Sequence, residues 1–369
     1  MRILVVNYLD INKLPPVQSL VQTLLSMGIK VTLISFGDIK NEKLRDDKNL
    51  KFIKLTDTSN NKFGKAIHFF SRKKDLKKIV TEQMTMNDIL WTTTDLTVRE
   101  LGDLVYRYKH VMHLMELIKD IPKYPYQNFF GSNLKKYAQK AYKVVVPEYN
   151  RAHIQKVWWE LEECPSIFPN KPYSVNIENI PSEVNKVIRT MLEEKRKIIL
   201  YQGVFRKERN LEDFAKAITD LNDEYVFYIM GSESLESTEL LKKYPEVKHI
   251  PFIAPPYHLC ITRQAYIGVL TYIPMFSKEH HISELNGVYC APNKLYEYSY
   301  FGIPMIGNDV PGLMYPFEKF NMGRVTKLNS VDIRKTLMVI EKNYDELSLG
   351  CKEFYEDVSL SDAINEILS

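Results

Sequence analysis

Nowhere does the chain approach the roughly 18 uninterrupted apolar residues that a membrane-spanning helix requires. The opening run, Met1-Arg2-Ile3-Leu4-Val5-Val6-Asn7, is too short for a signal peptide and reads as a buried strand. Cysteine is sparse: Cys164, Cys260, Cys290 and Cys351 are scattered without metal-ligand spacing, which predicts free thiols in a reducing compartment. Excess charge of one sign is also missing, since 50 basic residues face 46 acidic ones for a net +4. That balance argues against a nucleic-acid partner. Asp-x-Asp, the pair that holds Mg²⁺ or Mn²⁺ on a diphosphate, does not occur, so no metal is expected. P-loop, His-Glu-x-x-His and Gly-x-Ser-x-Gly motifs are absent too. The expectation is a cytoplasmic protein whose membrane contact, if any, is peripheral.

What is present is enough core for two domains: 369 residues at 45 % hydrophobic content. Short apolar runs alternate with helix-period segments, which predicts a parallel, doubly wound α/β sheet. Ile3–Val6, Val31–Phe36, Ile89–Trp91, Val111–Leu114 and Val144–Val146 read as strands. Val17, Leu20, Val21, Leu24 and Leu25 keep helical spacing, and Gly28 ends that helix. Asn150 reads as the cap of a helix with an apolar stripe at Ile154, Val157, Trp158 and Leu161. Pro165, Pro169, Pro172 and Pro181 interrupt the pattern, which then restarts with strands at 198–201, 226–230, 249–253, 267–272 and 304–307. The division expected is a Rossmann-like domain over 1–170, a linker over 171–190, a second Rossmann-like domain over 191–350 and a terminal helix within 351–369.

The most informative stretch is Ala291-Pro292-Asn293-Lys294-Leu295-Tyr296-Glu297-Tyr298, running to Gly302-Ile303-Pro304. Pro292 suits a first helical turn and Gly302 a C-terminal stop. Leu295, Tyr298 and Phe301 can face a core, while Asn293 and Glu297 share another face one turn apart. A carboxylate and an amide so placed suit a sugar's vicinal hydroxyls, and the helix N-terminus suits phosphate. Pattern alone equally describes an amphipathic helix with a solvated Glu. A second stretch, Gln202-Gly203-Val204-Phe205-Arg206-Lys207-Glu208-Arg209-Asn210, ends a strand at glycine and delivers three cations to that strand's end. Fixed cations there could stabilise a departing diphosphate; a solvated basic loop has the same composition.

Both stretches resemble bacterial GT-B glycosyltransferases, most closely the large retaining family (glycosyltransferase family 4-like) in its Pro-Asn-Lys…Glu-Tyr…Gly-x-Pro branch. The resemblance implies two Rossmann-like domains facing across a cleft, with a nucleotide sugar, expected to be a UDP-sugar, on the second. It assigns Glu297 to the donor ribose. Asn293, Lys294 and Leu295 with the helix's opening turn, Gly203 and Gly231 fall near the donor, Arg209 with Arg206 or Lys207 on its diphosphate, and Phe252-Ile253 near the base. It also implies His113 against the donor sugar; Glu116, three residues on, is a candidate for orienting the acceptor or acting as base. The acceptor implied is a saccharide or lipid-linked saccharide of cell-surface polysaccharide synthesis.

Three departures stand out: Val204 replaces the family's Arg after the glycine, Tyr289 replaces a Glu eight positions before Glu297, and Leu14-Pro15-Pro16 replaces a glycine-rich turn. From Lys62 to Lys78 seven basic residues and one acid interleave with Phe63, Ile67, Phe69 and Phe70, so that segment reads either as a flexible basic loop or as a docking site on an anionic inner membrane leaflet. Rival readings are a noncatalytic partner subunit of a transferase and a sugar-nucleotide epimerase on the same fold.

Overall fold

The computed structural model describes residues 1–56, 65–120, 133–173, 177–276 and 282–369, with the side chains of 65–72 outside that description. Of the basic segment 62–78, residues 62–64 and the side chains of 65–72 therefore lie outside the described residues. The rest belongs to a helix, Lys65–Met84. No helix among the described residues is long and apolar enough to cross a membrane.

The chain divides into two units, Met1–Tyr173 with Phe276–Ser283 and Ser359–Ser369, and Ser174–Met275 with Glu284–Val358. Each is built on a parallel sheet. In the first unit the strands are β1 (Arg2–Asp10), β2 (Lys30–Phe36), β3 (Leu50–Lys54), β4 (Ile89–Thr93), β5 (His110–His113), β6 (Lys143–Val146) and β7 (Ser166–Ile167), in the order β3-β2-β1-β4-β5-β6-β7. Ile3, Val5 and Trp91 face one side, against the helix Pro15–Ser26 and the terminal helix Leu360–Leu368. Leu4, Val6 and Leu90 face the other, with Leu76 and Val80 of the long helix. Burial on both faces explains why β1 reads as a continuous apolar run rather than an alternating one. Pro15 and Pro16 open their helix, where a missing N–H costs nothing, and Gly28 closes it at φ +76°.

The second unit holds β8 (Lys197–Gln202), β9 (Tyr225–Met230), β10 (Lys248–Ile250), β11 (Ile267–Leu270), β12 (Met305–Asn308) and β13 (Gly323–Thr326), in the order β10-β9-β8-β11-β12-β13. Ile198 and Leu200 pack on the side of the helices Ser182–Glu193, Asn293–Tyr300 and Pro311–Phe320. Ile199 and Tyr201 pack on the side of Glu212–Thr219 and Ser330–Lys342. In both sheets the order reverses once, between β1 and β4 and between β8 and β11. Ligands of doubly wound sheets bind beyond the strand carboxyl ends at such a reversal.

Several local expectations need correction. The helix at 149–159 is capped by Glu148, whose carboxylate accepts from the backbone N–H groups of Asn150 and Arg151, rather than by Asn150. Its buried face carries Arg151, Ala152, Gln155 and Trp159, while Val157 is exposed. Trp159 is sealed in because its indole N–H has a partner there, the Lys119 carbonyl at 2.9 Å. The stretch 182–193, within the Pro-rich region, is helical and contributes Val184 and Met191 to the second unit's core. Toward the terminus, the helix Tyr344–Glu356 lies in the second unit and Leu360–Leu368 in the first.

Candidate functional site

At the β8/β11 reversal, β8 ends at Gln202 and the chain turns at Gly203, whose φ of +134° suits glycine alone. A Cβ at that position would stand 3.0 Å from Lys294 Nζ. From the same turn Arg209 lays its guanidinium over the ring of Tyr272, with Cζ 3.8 Å from the centroid. Lys294 Nζ donates to the Tyr272 hydroxyl at 3.5 Å and lies 5.3 Å from the Tyr201 ring centroid. Neither cation forms a salt bridge with a carboxylate among the described residues. Two positive groups thus converge on two tyrosines at the sheet's topological switch. Burial lowers the Lys294 pKa to about 8, and repulsion by Arg209 pushes the same way. The attraction of the Glu297 carboxylate opposes both effects without cancelling them.

The helix Asn293–Tyr300 starts directly after Pro292, in extended conformation at the cap, and stops at Gly302, φ +64°. It lies close on β11 because Gly268 leaves room for the Tyr298 ring: a Cβ there would come within 2.5 Å of it. The Tyr298 hydroxyl donates to the Leu200 carbonyl at 2.8 Å, which fixes the helix's rotation. That rotation turns Glu297 inward, to 4 % exposure, so the solvated-face reading is wrong. Its Oε2 accepts from Gln202 Nε2 at 2.5 Å and its Oε1 lies 3.1 Å from His258 Nε2. Burial opposes ionisation of Glu297, but the attraction and hydrogen bond of His258, with Lys294 and Gln202, outweigh it and lower the pKa. The carboxylate is held ionised.

Glu297, Lys294, Arg209 and Gly203 are therefore brought together. Gly231 closes β9 beside Gly203, whose carbonyl would lie 2.1 Å from a Cβ at Gly231. Leu295 is core, and Asn293 is half-buried at the helix start. Phe252 is exposed and Ile253 half-buried in the loop after β10. Arg206 and Lys207 are exposed and line a groove of about 640 Å³ together with Arg209, Leu235 and Glu236. Arg206 is within 3.9 Å of Glu208. Lys294, one helical turn before Glu297, shares the Tyr272 ring with Arg209. Gln202, His258 and Thr262 were not singled out in the sequence, because their partners lie 95, 39 and 60 residues away.

In the first unit His113 closes β5 and is wholly buried, edge-on to Trp91 and Phe168. The Trp91 indole N–H, which can only donate, points at His113 Nδ1 at 3.4 Å, so the ring proton sits on Nε2. That Nε2 has no hydrogen-bond partner among the described residues. Burial pushes the pKa values of His113 and His110 down to about 3, so both rings are neutral. His110 is engaged with Thr92 at 2.8 Å. Glu116 is exposed in the loop beyond β5. Among the described residues no cluster of three or more His, Cys, Asp or Glu could hold a metal ion.

Two parallel α/β sheets, each reversing its strand order once, make the GT-B fold. No protein-family model matches the sequence, and no curated protein matches it. Solved structures match by shape. HepE from Anabaena, in complex with UDP-glucose, aligns at a TM-score of 0.68 and 12 % identity, over 100 % of this chain and 98 % of that one. Sucrose-phosphate synthase from Thermosynechococcus elongatus aligns at 0.66 and 12 %, over 100 % and 94 %. A putative UDP-N-acetylglucosamine 2-epimerase from Listeria monocytogenes aligns at 0.61 and 11 %, over 100 % and 94 %.

Proposed function

We propose that the chain is a glycosyltransferase that takes a sugar from a nucleoside-diphosphate donor, a UDP-sugar, and passes it to a saccharide or lipid-linked saccharide acceptor in cell-surface polysaccharide synthesis, with retention at the anomeric carbon. The observation that carries this reading is the Arg209–Lys294 pair, without a salt bridge to a carboxylate among the described residues, beside a buried ionised Glu297 at the β8/β11 switch. As the C1–O bond breaks, negative charge grows on the departing diphosphate. Cations already in place stabilise that charge without reorganising at the moment of reaction. Glu297 takes the ribose hydroxyls, and the Phe252-Ile253 loop lies toward the base. This reading uses side-chain cations on the diphosphate and asks for no metal. His113 and Glu116 are the residues assigned to the donor sugar and the acceptor. Location on the inner face of a membrane, through 62–78, belongs to the same proposal.

The epimerase is the second reading, because the Listeria epimerase shares the fold. Nucleotides and nucleotide sugars tested by thermal shift on wild type and Glu297→Ala check the donor site. A ligand at 100 times its Kd adds about 2.7 kcal/mol of stability, and that gain should vanish in the variant. Product analysis then separates the readings. A transferase releases free sugar slowly in the absence of acceptor, whereas an epimerase returns an altered sugar still joined to nucleotide. Absence of a shift with every nucleotide would overturn both and leave the noncatalytic partner subunit.

A further inference from the structure

We infer that Gln202, His258 and Thr262 are positioning residues that hold the Glu297 carboxylate in the one orientation from which it accepts both vicinal hydroxyls of a ribose. The inference rests on the donor-site reading above. Glu297 accepts two hydrogen bonds, one on each oxygen, from Gln202 and His258. A carboxylate offers about four acceptor positions, so one remains on each oxygen. An ionised carboxylate accepts only, which obliges Gln202 to turn its NH₂ toward Glu297 and its carbonyl oxygen away. That carbonyl oxygen is 2.7 Å from the Thr262 hydroxyl, nearer than the hydroxyl's other acceptor, the His258 carbonyl at 3.1 Å, and accepts its proton. Thr262 thereby anchors the far end of the amide that meets Glu297, without touching the carboxylate itself.

The same logic fixes His258. Its Nε2 carries the proton shared with Glu297, and its Nδ1 is buried without a partner among the described residues. Three elements supply the network: the end of β8, the short helix His258–Thr262 and the helix Asn293–Tyr300. Gln202 is also the residue before the Gly203 turn, so one side chain ties the carboxylate to the turn that carries Arg209. Burying a charge among polar partners is costly compared with apolar filling. A carboxylate kept ionised and half-satisfied in this position has acceptor capacity for a diol.

A merely structural network and a positioning one differ in what they do to hydroxyl discrimination. Calorimetric titration of the full chain with UDP, GDP and their 2′-deoxy forms measures it. Wild type is expected to prefer the ribonucleotide by about tenfold, the worth of one hydrogen bond to a charged group. Thr262→Val, which leaves the buried Gln202 carbonyl oxygen without its donor and so loosens the amide's hold on Glu297, should abolish the preference while leaving the 2′-deoxynucleotide affinity within about twofold. Thr262→Ser should keep it. Gln202→Met, of similar volume and without a donor, should behave like Thr262→Val and stands in if that variant does not fold. Retention of the preference in both variants, or an equal loss for both sugars, would overturn the inference while leaving the donor site intact. Failure of wild type to bind any of these nucleotides would overturn the donor-site reading and this inference with it.

Discussion

Lys294 is pulled in two directions by its surroundings, and the balance has a pH signature. Desolvation and Arg209 both disfavour its charged form, holding the pKa at about 8. A diphosphate supplies the opposite: two or more negative charges beside the ammonium raise its proton affinity. Binding must then take up a proton wherever free Lys294 is deprotonated, that is above about pH 8. Affinity for a nucleoside diphosphate should be flat up to that pH and fall by up to about tenfold per pH unit beyond it. Lys294→Arg, always charged, should remove the slope. Titration calorimetry between pH 7 and 9.5 checks both, and an equally steep slope in the variant would assign it elsewhere. Arg209 and Glu297 were singled out in the sequence through the resemblance of their two stretches to a known family, since the local pattern fits a basic loop and an amphipathic helix as well. The Gln202–Glu297–His258 contacts were not, since nothing local distinguishes those residues from other polar ones.

Among the elements, the central strands were legible for the same reason that the parallel sheets hold: buried on both faces, they carry uninterrupted apolar runs. β3 escaped notice because its burial is partial, and its Leu-Lys-Phe-Ile-Lys run resembles a surface segment. β7 has only two residues, too few to show a period, and β13, Gly-Arg-Val-Thr, carries one apolar side chain. The rotation of the helix Asn293–Tyr300 was likewise hidden, because it depends on the absence of a side chain at Gly268, in another strand. Gly268→Ala would put a methyl against the Tyr298 ring. Overpacking of this kind costs about 1–3 kcal/mol. The expected result is a lowered urea midpoint together with weakened nucleotide binding, since Glu297 and Tyr298 ride on one helix. Unchanged binding in a destabilised Gly268→Ala protein would show that the carboxylate does not depend on the helix's seat.

For the molecule as a whole, the two units are unequal in how the chain builds them. Trp91, Trp158 and Trp159 all belong to the first unit, so tryptophan fluorescence reports on that unit alone. Its core includes Leu360, Ile364 and Ile367 from the terminal helix, each nearly or fully buried. Three such side chains are worth roughly 5–9 kcal/mol of burial, comparable to the whole stability of a domain. Removal of residues 359–369 should therefore abolish the cooperative fluorescence transition in urea, while the second unit retains its nucleotide-induced thermal shift. A preserved transition would show that the first unit stands without that helix.

The same connectivity fixes an order in time. Residues 174–358 are translated before the ones that finish the first unit's apolar cluster. A chain growing at about 5–20 residues per second therefore holds that cluster open for roughly 10–40 s after Tyr173 is made. The first unit cannot be sealed ahead of the second. Until Ile367 has cleared the ribosome, the nascent protein presents the unsealed side of β1 and the helix Pro15–Ser26 as a surface for chaperones.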